Sequence, residues 1–194
     1  MKKIILASKS PRRKEILENL NIEFDILAPE ADEKSVDKSL PPELYVENLA
    51  SIKAFAAVKK CILEKIVIGA DTVVVLDDEI LLKPKDKADA ISILKRLSGR
   101  KHLVYTGICV VNSHTAKTVA AYEKTEVYFK TLSDDEIEKY VENGECMDKA
   151  GAYGIQGLGS IFIEKINGDY FNVVGLPVCR LVKILRNEFC TEIL

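Results

Sequence analysis

The run from Lys65 to Pro84, KIVIGADTVVVLDDEILLKP, limits what this 194-residue chain can fold into more than any other segment. Its first half is rich in Val and Ile and broken by a single acid, Asp71, which reads as a strand buried on both faces rather than one alternating between core and water. Asp77 and Asp78 then mark a tight turn, and EILL a short return strand before Pro84. A strand covered on both faces needs helices packed over it, so the run predicts an α/β architecture. It also poses a chemical problem. An ionised carboxylate inside such a strand costs on the order of several kcal/mol unless a cation or a metal compensates it. Lys53 upstream and Lys83 just beyond the return strand are the candidate partners, and a purely structural ion pair is the plain alternative to a catalytic acid.

The flanking pattern supplies the helices. Residues 3–7 read as a strand, and Pro11 behind Ser10 opens a helix to about Leu20, with Ser10 as its N-cap. Glu23–Leu27 follows as a second strand, then an acidic, proline-bracketed surface loop from Pro29 to Pro42 that holds Asp32 and Glu33. From Pro42 to about Lys60 a helix is predicted by Leu44, Val46, Leu49, Ile52, Phe55 and Ala56, with Lys53 near the edge of its apolar face. Asp86–Leu97 reads as a helix stopped by Gly99, and 102–111 with 117–129 as a hairpin. Ser133 and Glu136 form a capping box for a helix ending near Gly144. A glycine-rich loop, a strand near 160–166 and a helix from Pro177 complete the chain. NGDYFNVVGLP between them reads as a turn, an apolar strand and a helix start. Alternating elements followed by paired strands predict a mixed sheet in one domain spanning 1–194, with no repeats or long linkers.

Composition narrows the function classes. With 28 basic and 30 acidic residues the formal charge is −2, so there is no broad positive field of the kind a nucleic-acid binder uses, and any anion must be held by local clusters. Five cysteines without a C-x-x-C pair read as reduced core thiols of a cytoplasmic protein. The apolar run after Lys2 and Lys3 is too short for a leader, and no segment has the length of a membrane span. His102 and His114 stand alone and read as strand or turn residues rather than zinc ligands.

Two further stretches carry chemistry. In LASKSPRRKEIL a strand feeds a helix through a small polar turn, leaving backbone N–H groups that suit a phosphate. Arg12 and Arg13 sit where the helix dipole is already positive, a cost of about 0.3–1 kcal/mol per charge that an arriving polyanion would offset. Successive helical residues point about 100° apart, so the two divide their work, one on a phosphate and one elsewhere on the ligand. Two solvated arginines on an exposed first turn are the alternative. In MDKAGAYGIQGLGS the glycines precede a strand rather than a helix, which argues against a dinucleotide fingerprint. Gln156 within it offers one donor and one acceptor, matching the O4 and N3–H edge of uracil or thymine, or cytosine if the amide is flipped. An ordinary turn glutamine is the other reading.

Taken in order, LASKSPRRKEIL, IGADTVVVL, EILLKP, MDKAGAYGIQGLGS and GDYFNVVGLP resemble the Maf family of nucleoside triphosphate pyrophosphatases over essentially the whole chain, in the form of the branch acting on dTTP and UTP. The resemblance implies an elongated mixed β-sheet with flanking helices, two lobes around a central cleft, and a cytoplasmic homodimer. It implies cleavage between the α and β phosphates with a divalent cation, Mg²⁺ or Mn²⁺. At matching positions it implies Asp71 as catalytic base, Arg12, Thr72 and Gln156 as specificity residues, and Ser8, Arg13, Lys53 and Lys83 as holders of the triphosphate. Glu33 matches an acidic position near the metal, alongside Asp71. Two other readings stay open on the sequence: a nucleotide-sensing regulator, since the family is also linked to septum formation, and a pyrophosphatase directed at purine or 7-methyl-GTP substrates.

Overall fold

Three buried residues form β1 (Ile4–Leu6), and in the computed structural model, which describes residues 3–193, the chain continues through α1 (Pro11–Asn19) into β2 (Phe24–Ile26). β1 and β2 run parallel with Ile4 opposite Phe24, the pairing a strand–helix–strand crossover produces. α2 (Pro42–Val58) leads to β3 (Ile66–Leu76), which is parallel to β1, and the Asp77–Asp78 turn returns the chain as β4 (Glu79–Leu81), antiparallel to β3. α3 (Lys87–Leu97), β5 (Lys101–Asn112), β6 (Thr118–Phe129), α4 (Asp134–Asn143), β7 (Ile163–Asn167), α5 (Tyr170–Val174) and α6 (Val178–Phe189) follow. The seven strands make one mixed sheet in the order β2-β1-β3-β5-β6-β7, with β4 beside β3. Among the described residues no helix is long and apolar enough to cross a membrane.

The chain divides into two compact units, each assembled from separate segments. The first comprises the chain through Asp71, Thr106–Glu123 and everything from Gly175 onward. Where α2 packs against Val67, Cys109 and Val111, its fully buried residues are the small Ala50, Ala54 and Ala57. Two strand glycines explain why. A Cβ on Gly69 would overlap the Ala50 carbonyl oxygen and lie 2.8 Å from the Ala54 nitrogen, and one on Gly107 would overlap the Val46 carbonyl and lie 2.7 Å from the Glu47 nitrogen. The helix backbone thus rests directly on the strands, an approach that only glycine in the strand permits.

The second unit comprises Thr72–Tyr105 and Lys124–Val174. Its core is built from larger side chains, among them Leu76, Leu94, Leu97, Phe129, Ile137 and Phe162. Leu94 and Leu97 of α3 are completely buried, each contributing about 2 kcal/mol of apolar burial. α3 starts on an Asp86 carboxylate that accepts from the Asp89 N–H, and α4 on the complete Ser133–Glu136 capping box. Lys130 and the Ser133 backbone together hold the Glu136 carboxyl down at about 2.

Several expectations need correction. The stretch read as a strand in NGDYFNVVGLP is the helix α5, because the Asp169 carboxylate accepts the Phe171 N–H and turns the chain into a helical start. Ser10 occupies the N-cap position of α1 but makes no side-chain cap; the Ser8 hydroxyl accepts from the Ser10 N–H instead. On α2 Leu44 and Phe55 are exposed, and Tyr45 takes the buried position. Cys179 and Cys190 are exposed rather than core thiols, while Cys109 and Cys146 are buried.

Candidate active site

Strand pleating gives Gly69 and Asp71 the same face of β3, the face on which α2 rests. The absence of a side chain at the first lets the helix settle low enough for Lys53, next to Ala54, to reach the second. The Lys53 ammonium donates to Asp71 Oδ1 and forms a second ion pair, 3.2 Å long, with Glu33 Oε1. One cation therefore joins two carboxylates. Asp71 and Lys53 side chains are 16% and 18% exposed, Glu33 55%. The inner pair is shielded from water, and the outer one, on the short 3₁₀ turn Glu33–Ser35, contributes at most about 1 kcal/mol. Of the two lysines expected to compensate Asp71, Lys53 lies in the same unit and pairs with it.

The two arginines at the start of α1 behave differently from each other. Arg13 is buried; its Nε donates to the Gly175 carbonyl at 2.7 Å and its Nη1 to the Ser8 hydroxyl at 3.2 Å. Arg12 is half-buried. Burial lowers the Arg13 pKa, Asp71 opposes that shift, Arg12 adds to it and Glu33 opposes it again. The guanidinium thus feels both carboxylates of the Lys53 cluster. Tyr45, also buried, has its hydroxyl pKa raised by burial first and then by Asp71 and Glu33. Sequence reasoning missed Tyr45. Its signal was weak: a tyrosine two helical turns before Lys53, masked by the apolar residues on either side.

Within the first unit, then, Ser8, Arg12, Arg13, Glu33, Lys53 and Asp71 form one charged neighbourhood, three cations against two anions. A polyanion would be drawn to such a surplus. The two carboxylates converging on one point suit a hard divalent ion such as magnesium or manganese, which commonly takes one or two carboxylates and fills its shell with water and phosphate oxygens. Among the described residues no group of three or more His, Cys, Asp or Glu could hold a metal, so most of that shell would come from outside the chain.

The other predicted residues belong to the second unit. Thr72 follows Asp71 directly in β3 and is half-buried; Lys83 is exposed two residues past β4. Gln156 is half-buried and extended, φ −88° and ψ 153°, at the N-cap of the 3₁₀ turn Gly157–Phe162, and Gly157 behind it has φ +73°. That positive φ is one a side-chain-bearing residue adopts at a cost of about 1 kcal/mol. His102 is buried in β5, its pKa pushed down to about 3 by burial.

Known proteins resemble this chain along most of its length. A protein called dTTP/UTP pyrophosphatase from Caldanaerobacter subterraneus subsp. tengcongensis is 54% identical over 187 residues, 96% of this chain and 89% of that one. A second of the same name, from Clostridioides difficile, is 53% identical over 186 residues, 96% of this chain and 95% of its own. Among solved structures, the Ham1 protein of Staphylococcus aureus aligns with 66% of this chain and 72% of its own at 15% identity, with a TM-score of 0.44. The family model described as Maf-like protein matches residues 3–188, and with nearly the whole chain so covered, the protein belongs to the Maf-like family.

Proposed function

We propose that this protein hydrolyses dTTP and UTP to the nucleoside monophosphate and pyrophosphate, with Asp71 as the base. The observation that carries the reading is the Asp71–Lys53–Glu33 contact beside the buried Arg13, which puts an acid capable of taking a proton next to cations suited to a triphosphate. The names of relatives about half identical over nearly the full chain supply the substrate class.

Hydrolysis at the α phosphorus needs a water aligned opposite the leaving group, acceptance of one of its protons, and cations to stabilise the negative charge that grows on the departing pyrophosphate. Asp71 takes the proton. Ser8, Arg13, Lys53 and Lys83 hold the triphosphate, and Arg12, Thr72 and Gln156 read the rest of the nucleotide. Glu33 and Asp71 would hold a magnesium or manganese ion, which when bound supplies Lewis acidity toward phosphate oxygens. Lys53 then has a double task, neutralising the carboxylates between turnovers and meeting phosphate during them. We propose further that the protein acts in the cytoplasm as a homodimer.

The test is pyrophosphate release by purified protein with Mg²⁺ or Mn²⁺, across dTTP, UTP, CTP, ITP and 7-methyl-GTP. The expected result is pyrophosphate from dTTP and UTP, and a loss of about 10²–10⁴ in kcat for Asp71→Asn. Release of inorganic phosphate alone refutes the reaction. Tight UTP binding without any product would mark a nucleotide sensor.

A further inference from the structure

The loop that carries Gln156 is fastened at both ends by groups with no assigned role in the reaction. At its entrance the Gly154 N–H donates to the Tyr140 hydroxyl at 3.3 Å, and Tyr140 in turn donates to Glu145 Oε1 at 3.1 Å. At its exit the same carboxylate accepts from the Leu158 N–H at 2.9 Å through Oε2 and from the Gly159 N–H at 3.4 Å through Oε1. One acid thus holds the loop after Gln156 directly and the loop before it through the Tyr140 hydroxyl. A further tie sits one residue earlier, where the Tyr153 hydroxyl lies 2.7 Å from His102 Nε2 in a buried contact.

We propose that the Glu145 carboxylate and the Tyr140 hydroxyl are positioning groups that fix the backbone around Gln156, and thereby set its choice between uracil or thymine and cytosine. The inference deepens the reading of Gln156 given above and rests on it. Its physical basis is the symmetry of an amide. Oxygen and nitrogen ends differ little in size, so a glutamine on a slack loop turns over and meets the donor and acceptor of cytosine as readily as those of uracil. Discrimination requires the α-carbon to be held to about half an ångström, so that one orientation alone reaches the base. Turn glycines do not supply that rigidity; Gly157 has a positive φ and a Cβ there would lie 2.7 Å from Glu145 Oε2. The loop has been kept bare of side chains where the carboxylate must approach, and the carboxylate takes over the work of ordering it. Tyr140 is itself fixed, buried with its ring 4.8 Å from that of Phe162. Burial and the neighbouring Glu145 raise its hydroxyl pKa well above the ordinary value, which keeps it a donor at any working pH.

Two conservative variants test this: Tyr140→Phe removes only the hydroxyl, and Glu145→Gln turns one acceptor into an NH₂ that opposes a loop N–H. Two readouts are taken, kcat/KM for UTP relative to CTP, and the relative affinity of the non-hydrolysable α,β-imido forms of the same nucleotides by calorimetry. Both ratios are independent of the fraction of protein that is folded. The expected result is a fall of about tenfold or more in each ratio for either variant, with KM for UTP rising more than kcat falls. Unchanged ratios alongside a lower melting temperature would reduce the two groups to structural ones and overturn the proposal, as would a wild type that does not distinguish the two analogues. If the wild type binds them selectively but releases no pyrophosphate, the hydrolase reading fails while the binding ratio still decides this one.

Discussion

Replacing Gly69 with alanine probes the contact on which the whole charged neighbourhood depends. The added methyl would overlap the Ala50 carbonyl oxygen, lie 2.8 Å from the Ala54 nitrogen and meet the Ala54 Cβ at 3.0 Å. Two of those three atoms are helix backbone, so no rotamer change relieves the clash; α2 has to move off β3. Overpacking of this kind costs about 1–3 kcal/mol, and contacts with backbone belong at the upper end. In a chain of this size each kcal/mol shifts the melting temperature by about 2–4 °C, so a cost of about 2–3 kcal/mol gives a drop of roughly 4–12 °C. Catalysis should suffer more than stability, because Lys53 rides on the displaced helix and Asp71 stays with the strand. A misplacement of about 1 Å between such groups costs about 10² in rate. Thermal melts followed by circular dichroism and pyrophosphate release from UTP measure the two effects. Gly144→Ala is the control: its φ of +82° makes alanine unfavourable by about 1 kcal/mol, but nothing lies within 4 Å of the new methyl, so turnover should persist. A Gly69→Ala protein that melts within about 1 °C of the wild type and keeps its turnover would show that the helix is not seated on the strand as described.

Acid stability and helix capping give two more tests. Burial holds His102 down at about 3, so between that value and its ordinary 6.5 the unfolded chain binds a proton that the folded chain refuses. The stability this residue contributes is therefore complete above pH 6.5 and is lost as pH falls toward 3, by up to about 1.4 kcal/mol per pH unit. Urea midpoints at pH 7 and pH 4.5 should differ less in His102→Gln than in the wild type, and equal differences would mean the ring protonates without penalty. Ser133→Ala removes the hydroxyl that accepts the Glu136 N–H at 3.2 Å and should cost about 1 kcal/mol, read in thermal melts; no change would leave the capping box without energetic weight.

What the sequence made legible follows the range of the interactions involved. The strand–turn–strand of β3 and β4, the Asp86 start of α3 and the Ser133–Glu136 box are decided within a few residues, and each appears where the pattern puts it. The burden on Asp71 was legible too, because an acid among valines and isoleucines demands a cation. Which cation was not, since the reach of Lys53 to Asp71 depends on how closely α2 packs, and that is settled by Gly69 meeting Ala50 across the core. The same reason hid Tyr45. α5 was misread because Phe171, Val173 and Val174 have strand propensities that the Asp169 cap outweighs. The Glu145 clamp joins residues up to 14 positions apart through backbone N–H groups, which leave no trace in side-chain identity.

Because the first unit takes its closing segment from Gly175 onward, its assembly is tied to the order of synthesis. The carbonyl that Arg13 grips is 162 residues downstream of it. A nascent chain on the ribosome therefore carries that guanidinium without this acceptor until the entire second unit has been translated, and only then can the amino-terminal helix lock. Truncating the gene before that point would remove a latch from the oldest part of the polypeptide, not merely its last helix.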